Sequence, residues 1–208
     1  MAEISTNISV ASKAPTDELG RLLVTPPDLK SRLAVLRVSD LTLAEMDRCW
    51  DILEENMQDM YKKSSWGWNP DSKRKELYHE DARFILVTRI TADIPEVLAF
   101  LTFRFEVEGD EDVAYLYELQ ICQSCRRQGL GRILMDQLRR IGAHYKMSKI
   151  MLTVFNANRP ALQFYRALGF ELDPTSPGGY DHDSDSDSED AEDEEEGYDY
   201  QILSLSCT

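Results

Sequence analysis

Apolar residues recur along this chain with two periods, and the switch between them outlines a fold. Thr42-x-x-Glu45 is a capping-box pair, which satisfies free amides at a helix start. Beyond it Met46, Trp50, Leu53, Met57 and Met60 recur at alternating steps of four and three. That spacing predicts one face of an amphipathic helix over about residues 41–63. The segment SSWGWNP (64–70) breaks it, and a short polar helix is expected over 72–78. Three runs rich in β-branched and aromatic residues follow, at 84–88, 97–107 and 113–121, the last two joined by a turn at Gly109 and Asp110. Their short connections make an antiparallel meander. The helical period returns with Leu130, Ile133, Leu134, Leu138 and Ile141, predicting a helix over 129–145. Residues 150–155 (IMLTVF) read as a strand covered on both faces. Pro160 suits the first turn of a helix reaching Leu168, and short strands at 170–172 and 200–205 close the sheet. The order predicts an α/β fold with a mixed sheet. Residues 1–30 mix Ser, Thr, Pro and Gly without a sustained period, so they are expected as a flexible or docked arm before one domain over 31–208.

Charge changes this picture in one place. The formal net charge is −15, yet twelve of those negative charges fall between Asp181 and Asp199, a run without Lys or Arg. The rest of the chain is nearly balanced. The run is expected as a disordered acidic loop over about 178–198, inserted before the last strand. No stretch of 18 apolar residues occurs, and no basic-then-apolar leader opens the chain, so neither a membrane nor secretion is expected. Cys122-x-x-Cys125 lacks a second pair or a nearby His, so it is expected to be structural, with no metal.

The segment most suited to chemistry is Glu118-Leu119-Gln120-Ile121 followed by Arg126-Arg127-Gln128-Gly129-Leu130-Gly131-Arg132. A strand ends, the chain turns, and two glycines fall where a helix begins. Free amides and the helix dipole make such a place an anion site, and glycine lets a pyrophosphate approach the backbone. The spacing excludes a dinucleotide loop, since Leu134 stands where a third glycine is needed. It also excludes a Walker A loop, since Arg132-Ile133 follows Gly131.

Arg126-x-x-Gly129-x-Gly131 resembles the Gln/Arg-x-x-Gly-x-Gly/Ala motif of the GNAT acetyltransferase superfamily. Thr153-Val154-Phe155-x-x-Asn158 and Phe164-Tyr165-x-x-x-Gly169-Phe170 resemble its next two signatures, in order. The resemblance implies a GNAT fold: a mixed, mostly antiparallel sheet with a splayed parallel strand pair, flanked by helices. It implies acetyl-coenzyme A as donor, held by residues 119–121, by the loop from Arg126 to Arg132, and by Asn158. An α-amine titrates near about 8 and a lysine near about 10.4, so neutralising a terminal amine takes less help. Glu118 is the candidate base, with Tyr117 beside it. Tyr165 stands where many members keep a general-acid tyrosine.

A narrower resemblance is to NatD-type N-terminal acetyltransferases of histones. Tyr61-x-x-x-Ser65-Trp66-Gly67-Trp68, Phe103-Arg104-Phe105-Glu106-Val107-Glu108, Tyr115-x-Tyr117-Glu118-x-Gln120 and Tyr200-x-Ile202-Leu203 carry it. It implies histone tails beginning Ser-Gly-Arg-Gly as substrate, a monomer in nucleus and cytoplasm, and no direct contact with nucleic acid or membrane. Glu106 and Glu108 alternate on one strand and so share a face, where they suit the substrate arginine. Tyr61, Trp66, Tyr115 and Tyr117 are expected to wall the peptide, and Thr153, Thr175 and Tyr200 to bind its backbone. Two alternatives stay open: a member acting on a small amine or lysine side chain, and a non-catalytic histone-binding scaffold. The first would act without a free Ser-Gly-Arg terminus, and the second would not bind acetyl-coenzyme A.

Overall fold

A computed structural model describes residues 5–89, 95–177 and 197–207. The acidic loop expected over about 178–198 lies outside the described residues, apart from Gly197 and Tyr198.

The first element is one that periodicity did not reveal. Residues expected as an arm carry two short helices, α1 (Thr6–Lys13) and α2 (Thr16–Arg21), and Ile8, Ala11 and Leu19 are buried in the core. Helices of eight and six residues are too short to hold themselves in water and owe their form to docking. Ser5 and Asn7 bond to Asp112, and the Arg83 guanidinium donates to Ser12 O at 2.5 Å. A strand before the first long helix, β1 (Arg32–Arg37), also escaped the pattern.

The predicted elements follow. Helix α3 (Leu43–Lys63) starts at the Thr42–Glu45 capping box, with both reciprocal bonds formed. Helix α4 (Pro70–Leu77) is capped by Asn69, with Pro70 in its first turn. The meander is β2 (Arg83–Arg89), β3 (Glu96–Glu108) and β4 (Glu111–Ile121). Then come α5 (Leu130–His144), β5 (Lys149–Phe155), α6 (Arg159–Ala167), β6 (Glu171–Leu172) and β7 (Tyr200–Ser206). The sheet runs β1-β2-β3-β4-β5-β7-β6, antiparallel except for β4 and β5. Phe105 packs on Tyr145, the C-cap of α5, whereas Asn56 of α3 and Lys73 of α4 reach the opposite face through Gln120 and Glu118.

Two irregularities in β4 position the site. Its pairing with β5 stops at Leu116 and Leu152, although β4 continues to Ile121 and β5 to Phe155. The two strands therefore part and leave a wedge. On the other edge, Thr102 pairs with Glu118 but Phe103 with Leu116, so Tyr117 is an extra residue at a β-bulge.

Candidate active site

The wedge opens into a cleft of about 710 Å³, lined by β4 and β5, the start of α5, and side chains of α3 and α6. Its β4 edge offers hydrogen bonds by a simple alternation. Cys122 N donates to Leu98 O at 2.9 Å, and Phe100 opposes Gln120 two residues back. In an antiparallel ladder the residues between such pairs turn their backbone groups the other way. Leu119 and Ile121 therefore present N–H and C=O towards the wedge, while the Gln120 main chain faces β3. Gln120 contributes its side chain instead, donating to Glu118 Oε2 at 2.7 Å and accepting from Asn56 Nδ2 at 3.0 Å.

The far end of the cleft is the loop into α5. Arg127 and Gly129 both take left-handed backbone, at φ 64° and 81°. Gly129 is the N-cap and no side chain caps this helix, so the first amides of α5 stand free beside the cleft. Gly131 is closely packed, because a Cβ there would come within 3.2 Å of the Phe164 side chain and 3.3 Å of that of Ile121. Arg126, Arg127 and Arg132 line the same end. Arg126 also bonds to Asn56 Oδ1, which ties the loop to α3. Asn158 lines the cleft while capping α6 through the amide of Ala161. Gln128 does not line it; its side chain turns back to Ser124 O at 3.2 Å.

Where β4 and β5 part, the bulge gathers the polar groups. Strict alternation would set Tyr115 and Glu118 on opposite faces. The inserted Tyr117 instead brings Tyr115 opposite Arg104 and Glu118 opposite Thr102, on one face. Glu118 is 5% exposed, lines the cleft, and lies 2.7 Å from the Lys73 ammonium. Tyr165 also lines the cleft, and burial, with the Glu118 charge adding to the effect, holds its hydroxyl protonated. Tyr115 OH and Thr153 Oγ1 are 2.7 Å apart across the wedge.

Aromatic side chains gather at one edge of the cleft, and Glu106 adjoins it through Tyr117. Tyr61, Trp66, Phe155 and Tyr200 form a chain of edge contacts at 5.1–5.2 Å, with Trp66 50% exposed. Asp199 pins the Trp66 loop by accepting from Ser65 N at 2.6 Å and from its hydroxyl at 3.0 Å. Glu106 accepts from Tyr117 OH at 2.8 Å and lies 3.9 Å from Arg104, which stacks on the Tyr117 ring at 4.0 Å. Burial, and then the Glu106 charge beside it, raise the Glu108 carboxyl. Glu106, Glu108, Tyr115, Thr175 and Tyr200 lie outside the cleft lining. Thr175 is bonded at both amide and hydroxyl to Asp173, at 2.9 and 2.7 Å.

Sequence reasoning missed Asn56, Lys73 and Arg104 as members of this site. Lys73 and Arg104 lay inside quoted segments, but nothing local to them shows that a helix and a strand converge on Glu118. Cys122 and Cys125 are buried free thiols, and no cluster of three or more potential metal ligands occurs among the described residues.

Residues 47–170 match the model of the acetyltransferase (GNAT) family. Among solved structures, the ribosomal-protein-S18-alanine N-acetyltransferase from Escherichia coli is similar, at 18% identity and TM-score 0.52 over 85% of this chain and 95% of that one. NAA60 from Arabidopsis thaliana, in complex with a bisubstrate analogue, matches at 11% identity and TM-score 0.57 over 84% and 99%. The PaiA N-acetyltransferase from Thermoplasma acidophilum, in complex with coenzyme A, matches at 12% and 0.53 over 84% and 99%. Identities this low carry the fold.

Proposed function

Because the chain belongs to the GNAT acetyltransferase family, we propose that it transfers acetyl to the α-amine of proteins beginning Ser-Gly-Arg-Gly, the termini of histone four and histone two A. The family's donor is acetyl-coenzyme A, and the cleft suits it at both ends. Uncapped α5 amides with three arginines fit a diphosphate, and the β4 edge from Leu119 to the Ile121 amide, which β5 leaves unpaired, fits a pantetheine amide chain. When bound, the donor supplies an activated thioester. The residues around it do the remaining work. Glu118 takes the proton leaving the amine, directly or through water, and Tyr165 offers one to the departing thiolate. Backbone amides at the wedge support the charge that develops on oxygen.

The single observation carrying the substrate reading is the acidic pair Glu106 and Glu108 on one strand, with Glu106 bonded to Tyr117 at the bulge next to Glu118. A small first residue fits the narrow wedge that opens past the Tyr115–Thr153 hydrogen bond, and a cation at the third position fits the carboxylates. The acidic run before β7 raises the local concentration of a basic tail by attraction. The enzyme is read as a monomer of nucleus and cytoplasm, without direct contact with nucleic acid or membrane. Mass spectrometry of a Ser-Gly-Arg-Gly peptide against its N-terminally blocked, lysine-containing twin tests the proposal. Acetyl on the free terminus alone is expected, and acetyl on the blocked twin's lysine would overturn it.

A further inference from the structure

The candidate base is held from behind by a residue outside every motif. Lys73 is 8% exposed and does not line the cleft. Its ammonium lies 2.7 Å from Glu118 Oε1, contacts Glu76, and stands 4.9 Å over the ring of Tyr61. Burial by itself disfavours that charge, but Glu118, Tyr61 and Glu76 together outweigh it and hold the lysine protonated. The second Glu118 oxygen is gripped by Gln120, itself held by Asn56. The carboxylate is thus fixed at both oxygens by groups from different elements, and turning it would break a buried, charge-assisted bond. Stability alone does not account for such a pair, because a well-packed apolar replacement is often as stable or more so.

We infer that Lys73 is a positioning residue for acetyl transfer, whose 2.7 Å ion pair fixes the direction in which Glu118 meets the acceptor amine. The inference rests on the reading of Glu118 as the proton-accepting carboxylate. Lys73 acts through Glu118 and touches neither substrate.

The test compares the full chain with Lys73→Met and Lys73→Arg by three measurements. These are steady-state kinetics with acetyl-coenzyme A and the Ser-Gly-Arg-Gly peptide, calorimetry of coenzyme A binding, and the side-chain amide resonances of Gln120 and Asn56. Misdirecting a reacting group costs about a hundredfold, so Lys73→Met is expected to lower kcat by about that factor. Coenzyme A affinity should stay within about twofold, because Lys73 lies outside the cleft. The Gln120 amide signals should move in Lys73→Met and stay in Lys73→Arg, which should also recover most of kcat. A folded Lys73→Met that keeps kcat, or loses kcat and coenzyme A affinity in equal proportion, overturns the inference. So does an arginine variant no better than the methionine one. Should Lys73→Met fail to fold, Lys73→Gln takes its place under the same criteria. If the unsubstituted chain leaves the peptide unmodified, the substrate reading fails separately. The amide resonances then decide on Lys73: movement with Met but not Arg supports it, and no movement overturns it.

Discussion

At the scale of single residues, the site separates chemistry from grip. Glu118→Gln keeps an acceptor for Lys73 but removes the carboxylate proposed to take the proton, so turnover should fall by about a hundredfold or more. Coenzyme A affinity, by calorimetry, should barely change; equal losses in both would make Glu118 part of the scaffold. The two glycines of the loop should fail for different reasons. Gly129→Ala meets no atom within 4 Å but forces φ 81° on an L residue, costing about 1–2 kcal/mol. Gly131→Ala instead presses on Phe164 and Ile121, so it should weaken coenzyme A binding by shifting the loop. Away from the cleft, burial alone would raise the Asp173 carboxyl, but Thr175 and Lys149 outweigh it and hold it well below its ordinary value. A depressed carboxyl adds its full stability above the unfolded value of about 3.9, and that stability is lost progressively as pH falls from there towards the folded value. Urea denaturation from pH 6 down to pH 3 should therefore show a loss that is smaller in Asp173→Asn. Glycine spacing and acidic alternation were legible along the chain because each is a local pattern. The Lys73–Glu118 pair was not, because 45 residues of sequence separate two side chains that only the tertiary fold brings together.

At the scale of elements, legibility followed length and period. Helix α3 was readable because its period and its capping box agree. Thr42→Ala should cost about 1 kcal/mol, seen as a lower Tm with coenzyme A affinity unchanged, since the cap is remote from the cleft. Helices α1 and α2 and strand β1 were not readable. Each is eight residues or fewer, and their stability comes from burying Ile8, Ala11, Leu19 and Val35. The bulge at Tyr117 was equally hidden, because Tyr115 to Glu118 reads as regular alternation until β3 is laid beside it. Helix α3 also does something its amphipathic face does not announce. Asn56 joins it to Gln120, to Ile121 O at 3.1 Å, and to Arg126. Asn56→Ala should accordingly weaken coenzyme A binding and lower kcat together, the joint loss that distinguishes it from Lys73→Met.

For the whole molecule, charge and connectivity matter more than any one contact. Twelve of fifteen net negative charges lie in one run, while the ends of the described chain at residues 177 and 197 belong to the segments leading out of β6 and into β7. Attraction over a Debye length of about 8 Å predicts that kcat/KM for a Ser-Gly-Arg-Gly peptide falls as salt rises, and less steeply after deletion of residues 181–196. An unaltered slope in the deletion variant would end the steering idea. The clasp between Ser65 and Asp199 has a consequence for biosynthesis. The donor-gripping half of the cleft is complete by Tyr165, whereas the indole flanking the acceptor has its anchor only once residue 199 has been added. During translation the indole's anchor would thus arrive only with the stretch that also brings β7, the strand that covers the outer edge of β5.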